Sequence, residues 1–204
     1  MKRTKLILAF FLIGTVCLFA AGITASAQQR AISEKMIRLH VIANSDSAPD
    51  QALKLKVRDA ILAYLNTQNF TSREDAIEKL SSQLQEISNQ CMLVVEENGA
   101  DYAVSAELGY EHYPTRDYGS FSLPSGEYLS LQIKLGDAAG ANWWCVVYPA
   151  ICMPSGCEEF SAAVTTAGLS GREVTFITAD TPEIQMKFKI LEVFDAVHKF
   201  LQDT

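Results

Sequence analysis

The sharpest chemistry open to this sequence is nucleophilic, a cysteine activated by a histidine as in a secreted cysteine hydrolase. Cys145 would attack, His40 or His112 would serve as base, and Asn44, Asp46 or Asn142 would orient the imidazole. Such triads assemble from distant positions, so sequence separation does not exclude one. Against it, Cys145 falls inside a strand pattern rather than at a helix amino end, where a thiolate is stabilised. A structural disulfide is the competing reading. Cys145 and Cys152 flank the turn at Pro149, and outside the cytoplasm neighbouring thiols oxidise. Closing a loop of about eight residues contributes roughly 2.5 kcal/mol in the chain-entropy model. Cys157 is near enough to compete, so pairing with Cys152, pairing with Cys157 and the reduced state all stay open. Cys91, on the apolar stripe of a predicted helix, reads as a buried free thiol.

Other chemistries find less support. The cysteines lack the paired short spacings of a zinc ribbon and no His-x3-His occurs, so neither a metal nor another cofactor is expected. There is no Gly-x-Ser-x-Gly for a serine nucleophile. Glu96-Glu97 and Glu158-Glu159 are adjacent pairs that read as solvated, and no glycine loop could cradle a phosphate. No small-molecule substrate is expected. Two stretches point instead to binding. Tyr110 to Gly119 packs three tyrosines, Arg116, Asp117 and His112 into ten residues, and Trp143 and Trp144 stand side by side in a strand pattern. One indole can face the core, and its neighbour must then face the other way. Tyr, Trp and Arg are the types that dominate binding hot spots. The candidate contact residues are Tyr113, Arg116, Asp117, Tyr118, Trp143 and Trp144, with His40, Asn44 and Asp46 beside them.

The elements that must position these residues are legible from periodicity. Ile37, Leu39, Val41 and Ala43 alternate with Arg38, His40, Ile42 and Asn44, a short strand with one strongly apolar face. Ser47 with Asp50 resembles a capping box, and Pro49 fits a first turn, so a helix is expected from Ala48 to Asn66 with Leu53, Val57, Ile61 and Leu65 inward. Ser72 and Asp75 cap a second helix carrying Ile77, Leu80, Leu84, Ile87 and Cys91, which Gly99 ends. The period becomes two from Tyr102 to Pro114. Residues 116 to 126 read as a turn or loop. Tyr128 to Leu135 and Asn142 to Tyr148 read as strands joined in a hairpin by residues 136 to 140. Residues 149 to 172 read as loop with one helical turn, Val174, Phe176 and Ile177 as an edge strand, and Pro182 opens a last helix with Ile184, Phe188, Leu191, Phe194, Val197 and Leu201 on one face. The order implies an α+β fold, a single domain with helices packed on a mostly antiparallel sheet.

Ahead of this domain, Lys2, Arg3 and Lys5 precede an uncharged run from Leu6 to Ile23, followed by Ala25-Ser26-Ala27. This is the three-part pattern of an export signal, residues 1–27, leaving 28–204 as the folded part. An uncleaved anchor with its positive end on the cytoplasmic side is the alternative. Either way the domain is expected across a membrane. Without the signal, 14 basic and 24 acidic residues remain, a net charge of -10 that argues against nucleic acid and against charge-driven binding to anionic lipid. Membrane contact is expected only through the amino-terminal segment or a receptor.

Three segments together carry a resemblance: Ile37-Arg-Leu-His-Val-Ile-Ala-Asn-Ser-Asp46 running into Asp50-Gln-Ala-Leu-Lys-Leu-Lys-Val-Arg-Asp59, then Tyr113-Pro-Thr-Arg-Asp-Tyr-Gly119, then Asn142-Trp-Trp-Cys-Val-Val-Tyr-Pro149. In order and spacing they resemble the stage II sporulation protein R family of endospore-forming bacteria. The resemblance implies a signalling protein without catalytic activity, made in the forespore and exported into the space between the forespore and mother-cell membranes. There it would trigger a membrane-embedded aspartic protease of the mother cell to cleave the sigma E precursor. The sequence departs from the family's pattern after Pro149, where Ala150 to Cys157 brings a third nearby cysteine, so the pairing of Cys152 is less certain than the family implies.

Overall fold

The computed structural model describes residues 2–150, 163–165 and 167–202. Its contacts group the chain into two compact units: Ser33–Glu111 with Tyr128–Ser170, and Met1–Ile32 with His112–Glu127 and Gly171–Thr204.

The larger unit is a sheet with helices on one face. Strand β1 is Ile37–Ile42, helix α2 is Ala48–Asn66, helix α3 is Arg73–Glu97 and strand β2 is Val104–Tyr113. After two short strands in the other unit come β5, Gly126–Leu135, and β6, Asn142–Tyr148. Both helices start where the caps require. The Ser47 hydroxyl accepts from the Asp50 amide at 3.3 Å and the Ser72 hydroxyl from the Asp75 amide at 3.1 Å, satisfying amides that the first turn leaves without a partner. Leu53, Val57, Ile61 and Leu65 of α2 and Leu80, Ile87 and Cys91 of α3 face Leu39, Val41, Leu131 and Ile133 of the sheet in one core. Each such side chain contributes roughly 1.5–3 kcal/mol by leaving water.

The strand order is β2-β5-β1-β6. β5 and β6 therefore do not form the hairpin that their short connection suggests. β1 lies between them, parallel to β5 with Leu39 opposite Leu131 and antiparallel to β6 with His40 opposite Trp144. The sheet is mostly antiparallel, as the sequence order implies, yet mixed, because β1 runs parallel to β5. The reason lies in β1, whose burial on both faces over nearly its whole length makes it a central strand needing a neighbour on each side. Residues 136–141 arch over its end to join those neighbours, a span of roughly 10 Å at the usual strand spacing.

The smaller unit contains helix α1, Lys2–Ser33, strands β3, Arg116–Asp117, and β4, Ser122–Leu123, and helices α4, Gly171–Thr178, and α5, Pro182–Gln202. The segment read as loop thus contains a small antiparallel ladder, Arg116 opposite Leu123. Val174, Phe176 and Ile177 form no edge strand. They lie in α4, where Glu173, Phe176 and Ile177, three and four residues apart, are its buried residues. In α5 the apolar residues do not share one face. Phe188 and Leu191 are buried, with the Phe188 ring edge-on to Phe176 at 5.2 Å, whereas Phe194, Val197 and Leu201 are exposed.

Candidate functional site

Strand pleating divides the candidate residues between two surfaces of the sheet. In β1, Ile37, Leu39 and Val41 belong to the core under the helices, so Arg38 and His40 face the opposite side. That side is polar yet enclosed. Arg38 is fully buried, its Nε donating to the Cys145 carbonyl at 3.1 Å and its guanidinium lying 4.9 Å from the Tyr128 ring centroid. His40 is 5% exposed, and its Nδ1 lies 2.6 Å from the Glu111 carboxylate. The His40 ring leans on Trp144 at 5.5 Å. Ser130, opposite Arg38, is also fully buried. A carboxylate held on one imidazole nitrogen fixes ring orientation and favours a particular tautomer. Glu111 and Arg38 are not legible as site residues in the sequence. The signal that would find them is the charge itself, a Glu and an Arg within strand patterns where burial requires each charge to be compensated.

Cys145 does not join this arrangement. It stands opposite Leu39 and belongs to the core cluster, whereas His40 stands opposite Trp144. Directly paired residues share a face and successive residues alternate, so the thiol and the imidazole are on opposite faces of the sheet, and a Cys145–His40 dyad is excluded by the pleat. His112, the other candidate base, belongs with Asp195 to the smaller unit, its Nε2 3.5 Å from that carboxylate. The candidate disulfide partner Cys152, like Cys157, lies outside the described residues. Cys91 is a free buried thiol, and burial pushes its pKa up to about 12, which keeps it protonated and inert.

Asn44 and Asp46 belong to a network that closes the arch over β1. The Asn44 side chain accepts from the Asp137 amide at 2.9 Å and donates to the Asp50 carboxylate at 3.0 Å. The Asp46 carboxylate accepts from the Ala141 amide at 2.7 Å. Backbone bonds from Ala139 to the Asn44 carbonyl and from Gly140 to the Ala43 carbonyl complete the junction. Gly136 turns with φ +54°, and a Cβ there would collide with the Asn44 carboxamide, so both the turn and the close approach demand glycine. Asp50 also receives the Ser45 hydroxyl at 2.5 Å and the Tyr102 hydroxyl at 3.2 Å. The Ser45 and then the Asn44 bonds hold its carboxyl below the usual range, while burial and the Asp50 carboxylate push the Tyr102 phenol up to about 12. Lys54 donates to Gln51 at 2.7 Å and to the Ala141 carbonyl at 2.8 Å. Burial lowers its pKa against the opposing pull of Asp46. These groups point at one another, an arrangement suited to positioning the arch.

The aromatic candidates divide similarly. Tyr113 is fully buried and presents no surface. Arg116 and Tyr118 are half-buried, and Tyr118 stacks on Phe121 at 4.9 Å. Asp117 is exposed, with its carboxylate accepting from the Gly119 amide at 2.8 Å, which fixes the turn between β3 and β4. Trp143 and Trp144 are both half-buried on opposite sides of β6. Trp143 packs against the core beneath the Arg58 guanidinium, 5.1 Å from its ring centroid. Neither indole is fully enclosed.

Residues 33–157 match the family model described as Stage II sporulation protein R. A Bacillus subtilis (strain 168) protein named Stage II sporulation protein R is 36% identical over 160 residues, covering 74% of this chain and 71% of its own. No solved structure matches the chain.

Proposed function

This chain belongs to the stage II sporulation protein R family, and from that premise we propose that it is an exported signal, secreted across the forespore membrane into the intermembrane space. There it triggers a membrane-embedded aspartic protease of the mother cell, through the protease's extracytoplasmic part, to process the sigma E precursor. The observation that carries this reading is the family match over residues 33–157, which takes in the sheet and the β3–β4 turn. The amino-terminal apolar helix is compatible with export. A signal of this kind acts by binding the active form of its receptor more tightly than the inactive form, and about 1.4 kcal/mol of preference shifts the populations tenfold. The surface we assign to that contact is the β3–β4 turn with Arg116, Asp117 and Tyr118; the accessible parts of Trp143 and Trp144 are a separate candidate on the larger unit. Tyr113 drops out because it is buried. Cys145 serves the core, and we assign it a structural bridge to Cys152 or Cys157 instead of a catalytic role.

The test co-expresses this chain with the protease and the sigma E precursor in a host that does not sporulate, and follows cleavage of the pro-sequence. Cleavage that depends on the chain supports the reading, and cleavage indifferent to it overturns the reading. In the same assay Arg116→Ala is expected to weaken binding to the protease by about thirtyfold, roughly 2 kcal/mol, at an unchanged melting temperature. Lost stability with undiminished triggering would return Arg116 to a purely structural role.

A further inference from the structure

Strand β2 stands at one end of the sheet, bonded to β5 alone among the described strands, and its backbone shows which groups face outward. The Ala103 carbonyl accepts from the Gly136 amide at 2.8 Å, just past the end of β5. The Val104 carbonyl accepts instead from the Ser88 hydroxyl of α3 at 2.7 Å. Backbone groups of a strand turn to its two edges alternately, so Ser105, Glu107 and Gly109 follow Ala103 toward β5. Ala106, Leu108 and Tyr110 follow Val104 and turn their amides and carbonyls outward. Among the described residues, no hydrogen bond reaches these three residues from the outer side.

A row of solvated backbone groups is a template for another strand, and proteins usually block it with lysine, proline or a very short edge. β2 uses none of these devices. It is 10 residues long, where about five or six is usual, and Val104 to Tyr113 contains no Lys, Arg or Pro. Gly109 lies near its middle, with nothing within 4 Å of where its Cβ would stand. A glycine inside a strand weakens it and often marks a place where a second backbone comes close. Beside it, Tyr110 is 70% exposed, although Ala106 and Leu108, on the same side of the strand, pack against the core. The ring is thus held out next to the open edge.

Charge distinguishes the possible occupants. Glu107 and Glu111 share the polar side of β2, and the Glu107 side chain stays 56% exposed while it is bonded to Lys134 of β5 at 2.7 Å. A second copy paired antiparallel about Gly109 would set Glu107 of each chain against Glu111 of the other. Like charges directly opposite one another destabilise a sheet. A strand with Lys or Arg at alternate positions would instead place its cations against this side, where opposite charges attract.

We propose that the outer edge of β2 is a docking edge, and that an extended basic segment of the receptor protease joins the four-stranded sheet there through the backbone groups of Ala106, Leu108 and Tyr110. In such strand addition the main-chain bonds supply affinity and the alternating side chains supply register. The inference rests on the signalling reading for its partner and adds a mode of contact that the reading does not specify.

The test compares two variants of the full chain in the co-expression assay. Tyr110→Pro removes one outward N–H and spares the bonds to β5, since proline is accepted on the free side of an edge strand. Tyr110→Ala removes the same side chain and keeps the N–H. Cleavage of the precursor should be about tenfold weaker with the Pro variant than with the Ala variant, at similar melting temperatures. Equal cleavage with the two overturns this inference and leaves the signalling reading standing, whereas cleavage indifferent to the wild-type chain removes the reading itself. If the Pro variant does not fold, wild type decides, through residue-resolved hydrogen–deuterium exchange of the full chain with and without the protease in detergent. The amides of Ala106, Leu108 and Tyr110 should exchange more slowly in the complex. Exchange there that is unchanged by the protease, or that slows only as the chain's own concentration rises, overturns the proposal, the latter in favour of a second copy. Glu107→Lys should weaken the complex several-fold, and undiminished binding would overturn the basic character assigned to the incoming strand.

Discussion

Asp50 shows how much one carboxylate can organise. It receives hydroxyls from Ser45 and Tyr102 and the amide of Asn44, all donors that favour its ionised form, so its folded pKa lies below the unfolded value. A depressed carboxyl pKa adds stability that is fully present above the unfolded pKa, about 3.9, and is lost as pH falls through the folded value. Asp75, held down first by the Thr71 amide and then by Lys79, follows the same rule. Asp50→Asn should therefore lose less stability than wild type between about pH 5 and about pH 2, while keeping the share due to Asp75. Urea midpoints across that range measure the difference, and parallel curves for the two proteins would contradict it. Glu111 allows a second prediction at this scale. Its carboxylate is 2.6 Å from a buried imidazole nitrogen, so Glu111→Leu should destabilise by about 1–3 kcal/mol through the polar group left without its partner. Glu111→Gln, which keeps a hydrogen-bonding group, should cost less. Equal midpoints for Leu and Gln would show that the pair contributes nothing.

At the scale of elements, the arch over β1 is a rigid junction, and Gly136 is its tightest point. Gly136→Ala should cost about 2 kcal/mol, because it combines a left-handed backbone with a collision against Asn44. Gly99→Ala, also left-handed at φ +76° but with open space around its Cβ, should cost only about 1 kcal/mol. Denaturant midpoints at unchanged slope separate the two, and a larger loss at Gly99 would remove the arch from the argument. The same junction explains what the sequence reveals and what it conceals. Caps and stripes are local, so Ser47, Asp50, Ser72 and the apolar face of α2 are readable along the chain and hold in the structure. The insertion of β1 between β5 and β6 is a pairing across about ninety residues, and the five-residue connection at 136–140 carries no local mark that distinguishes an arch from a hairpin. Asn44 and Asp46 invite a functional reading because polar residues at a strand end are common in sites, and only the register shows them holding the arch. Tyr113 misleads for a related reason, since a tyrosine beside a proline has no sequence signature of burial.

Considering the whole molecule, protection against solvent should be centred on β1. Its residues Ile37 to Val41 are buried, and it has hydrogen-bonded neighbours on both edges. Among the described residues, β2 and β6 each border one strand. Amides of Ile37 to Ile42 should accordingly be among the slowest to exchange with deuterium, slower than those of β6. Mass-resolved exchange on the full chain checks this, and faster exchange in β1 than in β6 would mean that the sheet opens from its centre. The smaller unit is drawn from three separate stretches of sequence, so its packing, unlike the caps of α2 and α3, waits for the whole chain.

The position of β1 has a further consequence under the export we propose. The strand at the middle of the sheet is the first to be synthesised, yet the partners of Leu39 are Leu131 on one side and Cys145 on the other. No sheet can close around it until about half of the protein has followed. A polypeptide conducted through a translocation pore has to remain unfolded during passage, and this topology delays the slow, non-local step of folding until most of the chain is available. On that proposal the connectivity itself would keep the chain competent for transport, with the core completed only after passage.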